Sequence, residues 1–294
     1  MKTRFLSILT LAAALVGAEA MALPSGQASA QEVQVTGPLA GAPAVHHMRV
    51  YRQNRLQIAP VLGITLREPY RQSMVLGMQL QYFLTDWLGI GVWGAYTGVG
   101  FDTNLTNNIQ SQGVTTERNQ LSLPSRGNFP KQVGQITGIG ALQMTFVPLR
   151  GKLALFQRLF VDTDFYIFGG LGFVGLQERS NIAASTCTDM AMTSVTAQND
   201  CFLASQTARS NRMALSPTFG AGLTMYFVDW FGIAVEWRGF YFKMNDAGFD
   251  VLGGGPGGDF PDGVVNSKDR EGALTQMFNL ALVFHLPSRA RISD

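Results

Sequence analysis

The sequence predicts an all-β protein: a transmembrane up-and-down antiparallel β-barrel of eight strands behind an N-terminal signal peptide. Three observations predict it. Met74, Leu76, Met78, Leu80 and Tyr82 alternate with Val75, Gly77, Gln79, Gln81 and Phe83, the period of two of a strand with one apolar face. That pattern restarts after Thr85-Asp86 and recurs down the chain to Leu286. Charged residues are only 14% of the chain, against about 25% in soluble domains. Mean hydropathy is nevertheless only +0.11, and no apolar run after the leader approaches the roughly 18 residues of a membrane helix. A barrel hides its hydrophobicity in alternate positions.

Lys2 and Arg4 precede the apolar run Phe5–Val16, and Ala18-Glu19-Ala20 and Ala28-Ser29-Ala30 offer two cleavage motifs, so residues 1–30 read as a secretory leader. Residues 31–53 read as a periplasmic linker. Its pair His46-His47 has no Cys, Asp or Glu close by, so no metal site is expected. The barrel is expected over 54–287, followed by a short tail, 288–294. Leu56, Ile58, Pro60, Leu62, Ile64 and Leu66 form the first apolar row, with Pro60 needing a bulge or an unpaired position. Glu68-Pro69-Tyr70 turns the chain into the hairpin 74–96.

That hairpin has a second copy. Tyr82-Phe83 followed by Asp86-Trp87-Leu88-Gly89-Ile90 is matched by Tyr226-Phe227 followed by Asp229-Trp230-Phe231-Gly232-Ile233. Aromatics at a tight turn suit a membrane–water interface, so Tyr82, Trp87, Tyr226 and Trp230 are expected as interface aromatics.

Further strands are expected over 135–147, with a connection at Pro148–Lys152, then over 160–175, from Met213, from Ile233, and over 274–286. Polar stretches near 99–133, 176–211 and 243–273 read as long loops on one side, with short turns on the other. That asymmetry predicts extracellular loops and periplasmic termini. Asp162, Asp164, Glu236 and Arg238 lie on the faces opposite the apolar rows and should face the barrel interior, with Arg238 beside a carboxylate. Cys187 and Cys201 share one polar loop of an exported chain, where a disulfide is expected.

Gly170, Gly172 and Gly175 spell GxGxxG but lead into a polar loop, not a helix, so they read as barrel-wall positions. Asn104-Leu105-Thr106 is a weak glycosylation match. No catalytic residue and no cofactor is predicted, and a net charge of +2 on an exported chain gives no reason to expect nucleic acid.

Leu56–Gly63, Glu68-Pro69-Tyr70, Gly77 to Tyr82, Asp86–Gly89, Gly151-Lys152 and Phe284–Pro287 together resemble a myxobacterial family of outer-membrane β-barrel domain proteins. The resemblance covers about 50–287. It implies an outer-membrane location, no enzyme activity, and action with partners in envelope machines such as those of gliding motility. The expected function is therefore an anchor or docking component, in contact with outer-membrane lipid and other envelope proteins and serving gliding motility or adhesion. The alternatives are a narrow pore, or an outer-membrane enzyme needing a base near a nucleophile.

Overall fold

The computed structural model describes residues 50–66, 68–113, 121–122, 124, 126, 128–155, 159–188 and 194–288. The leader, the linker through residue 49 with His46-His47, and the tail from residue 289 lie outside them.

Eight antiparallel strands close into a barrel in which each pairs with its sequence neighbours and the last returns to the first. They are β1 (Leu56–Leu66), β2 (Arg71–Phe83), β3 (Leu88–Asp102), β4 (Gln135–Leu155), β5 (Leu159–Arg179), β6 (Arg209–Val228), β7 (Phe231–Met244) and β8 (Glu271–Leu286). The seam pairs Leu56 with Leu286 and Leu66 with Gln276.

The alternation seen in the sequence becomes an apolar belt outside and a polar interior. Leu62, Leu76, Val92, Leu142, Leu171 and Leu280 are exposed on the outer wall. Gln57, Gln81, Gln143, Thr145, Thr218 and Asn279 are buried inside. An outer surface so apolar around a closed sheet is solvated by hydrocarbon, and closure leaves no backbone edge unpaired in it. Pro60 points outward with Leu62, as its parity requires.

β4 departs from the expectation at Pro148. The strand does not stop there but runs on to Leu155. Pairing slips between Phe146 and Leu149, which oppose Ile167 and Phe165, so Val147 and Pro148 together face Tyr166. The bulge absorbs the residue that cannot donate to the ladder, which is why a proline that reads as a strand end is tolerated.

The connections differ sharply between the two ends. On one side β2 and β3 are joined by residues 84–87, and β6 and β7 by residues 229–230. On the other side the longer loops contain structure that their sequence does not advertise: α1 (Asn104–Gln112), α2 (Phe129–Gln132), α3 (Ala184–Thr188) and α4 (Val195–Thr207). The hydroxyl of Thr103 caps α1 and that of Ser194 caps α4, each accepting from a backbone N–H of the first turn. Thr106, in the glycosylation match, is buried and donates to the Tyr70 carbonyl at 2.6 Å.

Candidate functional site

The interior is filled at mid-height by one polar cluster. Arg238 on β7 is wholly buried; its Nε donates to Glu236 Oε1 at 2.9 Å and its Nη2 to Gln143 Oε1 at 2.8 Å. Tyr166 donates to the other Glu236 oxygen at 3.1 Å, and Asn279 Nδ2 approaches Oε1 at 3.3 Å. The guanidinium lies 4.1 Å from the Phe168 ring centre and 4.4 Å from that of Trp93. The charge pair is held by these hydrogen bonds and by the ring faces, while Arg238 Nη1 and Asn279 Oδ1 are buried without a hydrogen-bond partner among the described residues. Glycines on the inner wall give the rings room: a Cβ on Gly172 would press on Phe240, and one on Gly222 would strike Tyr166. The GxGxxG glycines thus lie within β5.

The turn-side mouth is closed by the segment before β1. Arg52, assigned by the sequence to the linker, is buried and forms an ion pair with Asp164, with its guanidinium 5.1 Å from the Phe83 ring and 5.8 Å from that of Tyr226. Asp86 Oδ1 accepts from the backbone N–H of Arg52 and Gln53 at 2.8 and 3.0 Å. Arg55 donates to the carbonyls of Tyr51, Asp229, Pro287 and Ser288. Asp162 is half-buried near this mouth, while Asp164 and Glu236 are buried. A cavity of about 10 Å³ among Arg52, Gln81, Tyr166 and Tyr226 has room for about one water.

Of the four expected interface aromatics, Tyr82, Trp87 and Trp230 are exposed at the turn side. Tyr226 is not one of them. It is 4% exposed, points inward, and its ring lies 5.5 Å from that of His285, tilted by 49°. The reason is parity: Met225 belongs to the outward row, so Tyr226 must face in, and Phe227 takes the outward place at 46% exposure.

At the loop end, Glu178 accepts from Arg212 at 2.8 and 3.1 Å and from Arg270 at 2.9 Å. Arg179 ties α4 to the last loop through Ser205 and the Gly248 carbonyl. Cys187 and Cys201 form a disulfide across 14 residues, linking α3 to α4; closing such a loop stabilises by roughly 3 kcal/mol. Burial pushes Glu68 up to about 7, helped by the negative charge of Asp246. Burial likewise raises Asp246 to about 6, with Glu178 and Glu271 adding to the rise.

For chemistry the interior offers little. Among the described residues the one histidine, His285, is wholly buried between the rings of Phe83 and Tyr226. No group of three or more metal-ligating side chains occurs among the described residues. A depression of about 610 Å³ on the outer wall, lined by Leu80, Ile90, Val92, Leu142, Met144 and Leu171, is an apolar surface of the lipid-facing belt.

The turn side carries one projection. β4 pairs with β3 only as far as Phe146, yet continues beside β5 to Leu155. β5 has its first β6 partner at Asp162. The β4–β5 hairpin therefore runs on past the last β3 partner by about 30 Å along the strand, at about 3.3 Å per residue, with no strand partner on that flank among the described residues.

No family model matches the chain, and no curated protein matches it. Among solved structures it is similar to the N-terminal β-barrel domain of Pseudomonas aeruginosa OprF, at 11% identity and TM-score 0.38 over 79% of this chain and 98% of that one. It is also similar to Ail, the attachment invasion locus protein of Yersinia pestis, at 11% identity and TM-score 0.30 over 79% and 99%. A third is the outer membrane protease OmpT from Escherichia coli, at 8% identity and TM-score 0.30 over 82% and 98%. The chain's own closed wall of eight strands, apolar belt and polar, filled interior are those of an outer-membrane β-barrel protein.

Proposed function

We propose that this protein is a non-enzymatic outer-membrane anchor whose turn side docks another envelope component. In this reading the long loops face outward, and the short turns and the ends of the barrel sequence face the periplasm. The observation that carries it is the β4–β5 hairpin, whose outer edges have no strand partner among the described residues. An exposed strand edge is a template for an added strand, and natural proteins blunt such edges unless they use them. The hairpin sequence between Val147 and Val161 contains Lys152 and Arg158, besides Arg150, which pairs with Asp86, and no carboxylate. The partner it suits is an extended, acidic segment. The filled interior supports an anchor over a wide channel. A role in gliding motility or adhesion, and kinship with the myxobacterial barrel family, belong to the same proposal through the sequence resemblance.

The test is site-specific photo-cross-linking in intact cells from position 149, with products identified from the outer membrane. It is repeated in a variant whose residues 151–160 are replaced by an Asn-Gly turn. The expected result is a defined envelope protein cross-linked to the wild-type hairpin and absent from the shortened variant, which still inserts. Cross-links unchanged by the shortening, or none at all from position 149, overturn the docking reading.

A further inference from the structure

A second feature lies at the opposite end, where the barrel wall splits. Pairing between β3 and β4 ends at Tyr96 and Gly138, although β3 continues to Asp102 and β4 begins at Gln135. In the split is a cavity of about 440 Å³ whose lining includes Arg71, Gly100, Asp102, Lys131, Gln135 and Arg209. Three cations converge there against one carboxylate.

Each cation is placed by local structure. Arg209, at the start of β6, donates to the carbonyls of Val133 at 2.6 Å and Lys131, which fixes its guanidinium at the junction of α2 and β4. Lys131 lies in the last turn of α2. Arg71 lies across Gly100, where a Cβ would collide with its Nε. Glycine at that position is what gives the guanidinium its path into the split. Arg71 and Arg209 are near enough to repel each other. Among the described residues, the side chains of Arg71 and Lys131 have no hydrogen-bond or ion-pair partner. Like charges gathered around an open volume are unfavourable unless an anion joins them, and guanidinium pairs match the oxygens of a phosphoryl group.

We propose that this notch is a binding site for a phosphoryl group or a similar oxyanion. It goes beyond the docking reading and does not depend on it. Tyr96, Val99 and Phe101, 69%, 55% and 49% exposed, border the same split and belong to the apolar outer wall. A lipid headgroup can therefore reach the cations sideways while its chains remain on the belt. A free oxyanion can reach them from water. The chemistry is shared, and experiment separates the sources.

The full barrel in nonionic detergent is titrated with bisphosphorylated lipid A, followed by native mass spectrometry, and separately with inorganic phosphate, followed by thermal unfolding. The same titrations are made on the double variant Arg71→Gln/Lys131→Gln, chosen because neither side chain holds the fold together. Each charged hydrogen bond of this kind is worth about tenfold in affinity, so the double variant is expected to lose about a hundredfold. Gly100→Val keeps every charge but displaces Arg71, and it should weaken binding in the same direction.

Tight lipid A retention by the wild type, lost in both variants, supports the site with a headgroup as ligand. A phosphate response lost in both variants, without preferential lipid A retention, supports the site with a soluble oxyanion as ligand. Equal behaviour of wild type and folded variants in both titrations overturns the proposal, as does no binding by the wild type.

Discussion

The β2–β3 and β6–β7 hairpins share a sequence motif, yet their aromatic pairs face opposite ways. In the first, Tyr82 is outside and Phe83 inside; in the second, Tyr226 is inside and Phe227 outside. The motif specifies a place for the turn, four residues long in one and two in the other. It does not specify a face. Face is fixed by each strand's register with its neighbours, and shifting by one residue exchanges every side chain between lipid and lumen. The two copies are alike in composition and unlike in energetics.

Truncation separates them most. Tyr226→Ala removes a packed interior ring beside Arg52 and Asp164 and should cost about 3–5 kcal/mol, whereas Tyr82→Ala at the wet rim should cost at most about 1 kcal/mol. Denaturant unfolding of the barrel reconstituted in vesicles measures both, and equal losses would break the contrast. The turn aspartates come next. Asp86→Ala leaves two backbone donors without their charged acceptor, for about 1.5–3 kcal/mol, while Asp229→Ala should stay within about 0.5 kcal/mol because Arg55 uses its carbonyl.

The far ends of the same hairpins meet at the loop side, since Glu68 precedes β2 and Asp246 follows β7. Both carboxyls sit above their ordinary range, so the folded state holds their protons more tightly than the unfolded state does. The stability they contribute is therefore full below about pH 4. It is lost as the pH rises through about 6 for Asp246 and about 7 for Glu68. Hydrogen exchange should show better protection of residues 245–252 at pH 5 than at pH 8; the reverse order would show that burial does not govern these groups. The smallest effect is expected from the tryptophans. Both lie half-exposed at the rim, Trp87 against Phe146 and Trp230 against Phe284. Trp87→Ala and Trp230→Ala should agree within about 0.5 kcal/mol.

The strands were legible because a barrel writes its two faces into alternate residues. Even the inward turn of Tyr226 was readable: it is one residue beyond Met225, itself in the outward row, and the aromatic motif outweighed that count. Pro148 misled for the opposite reason, since a bulge is a property of two strands and local sequence describes one. The two longer loop helices, α1 and α4, start at side-chain caps, Thr103 and Ser194, inside polar stretches with no apolar stripe to betray them. Arg52 and the notch cations were beyond reach, because their meaning lies in partners far along the chain. Arg71 acquires its role only when Gly100 is seen beneath it.

Arg55 joins residues at opposite ends of the barrel sequence, reaching the Pro287 carbonyl 232 positions away at 3.0 Å. A contact of that span cannot form while the last strand is still missing. Until β8 arrives, Arg55 has no main-chain carbonyls of 287 and 288 to hold, and the seam lacks its clasp. Closure therefore has a local readout: whatever the order in which the strands join, the completed cylinder is registered by an arginine that precedes its first strand.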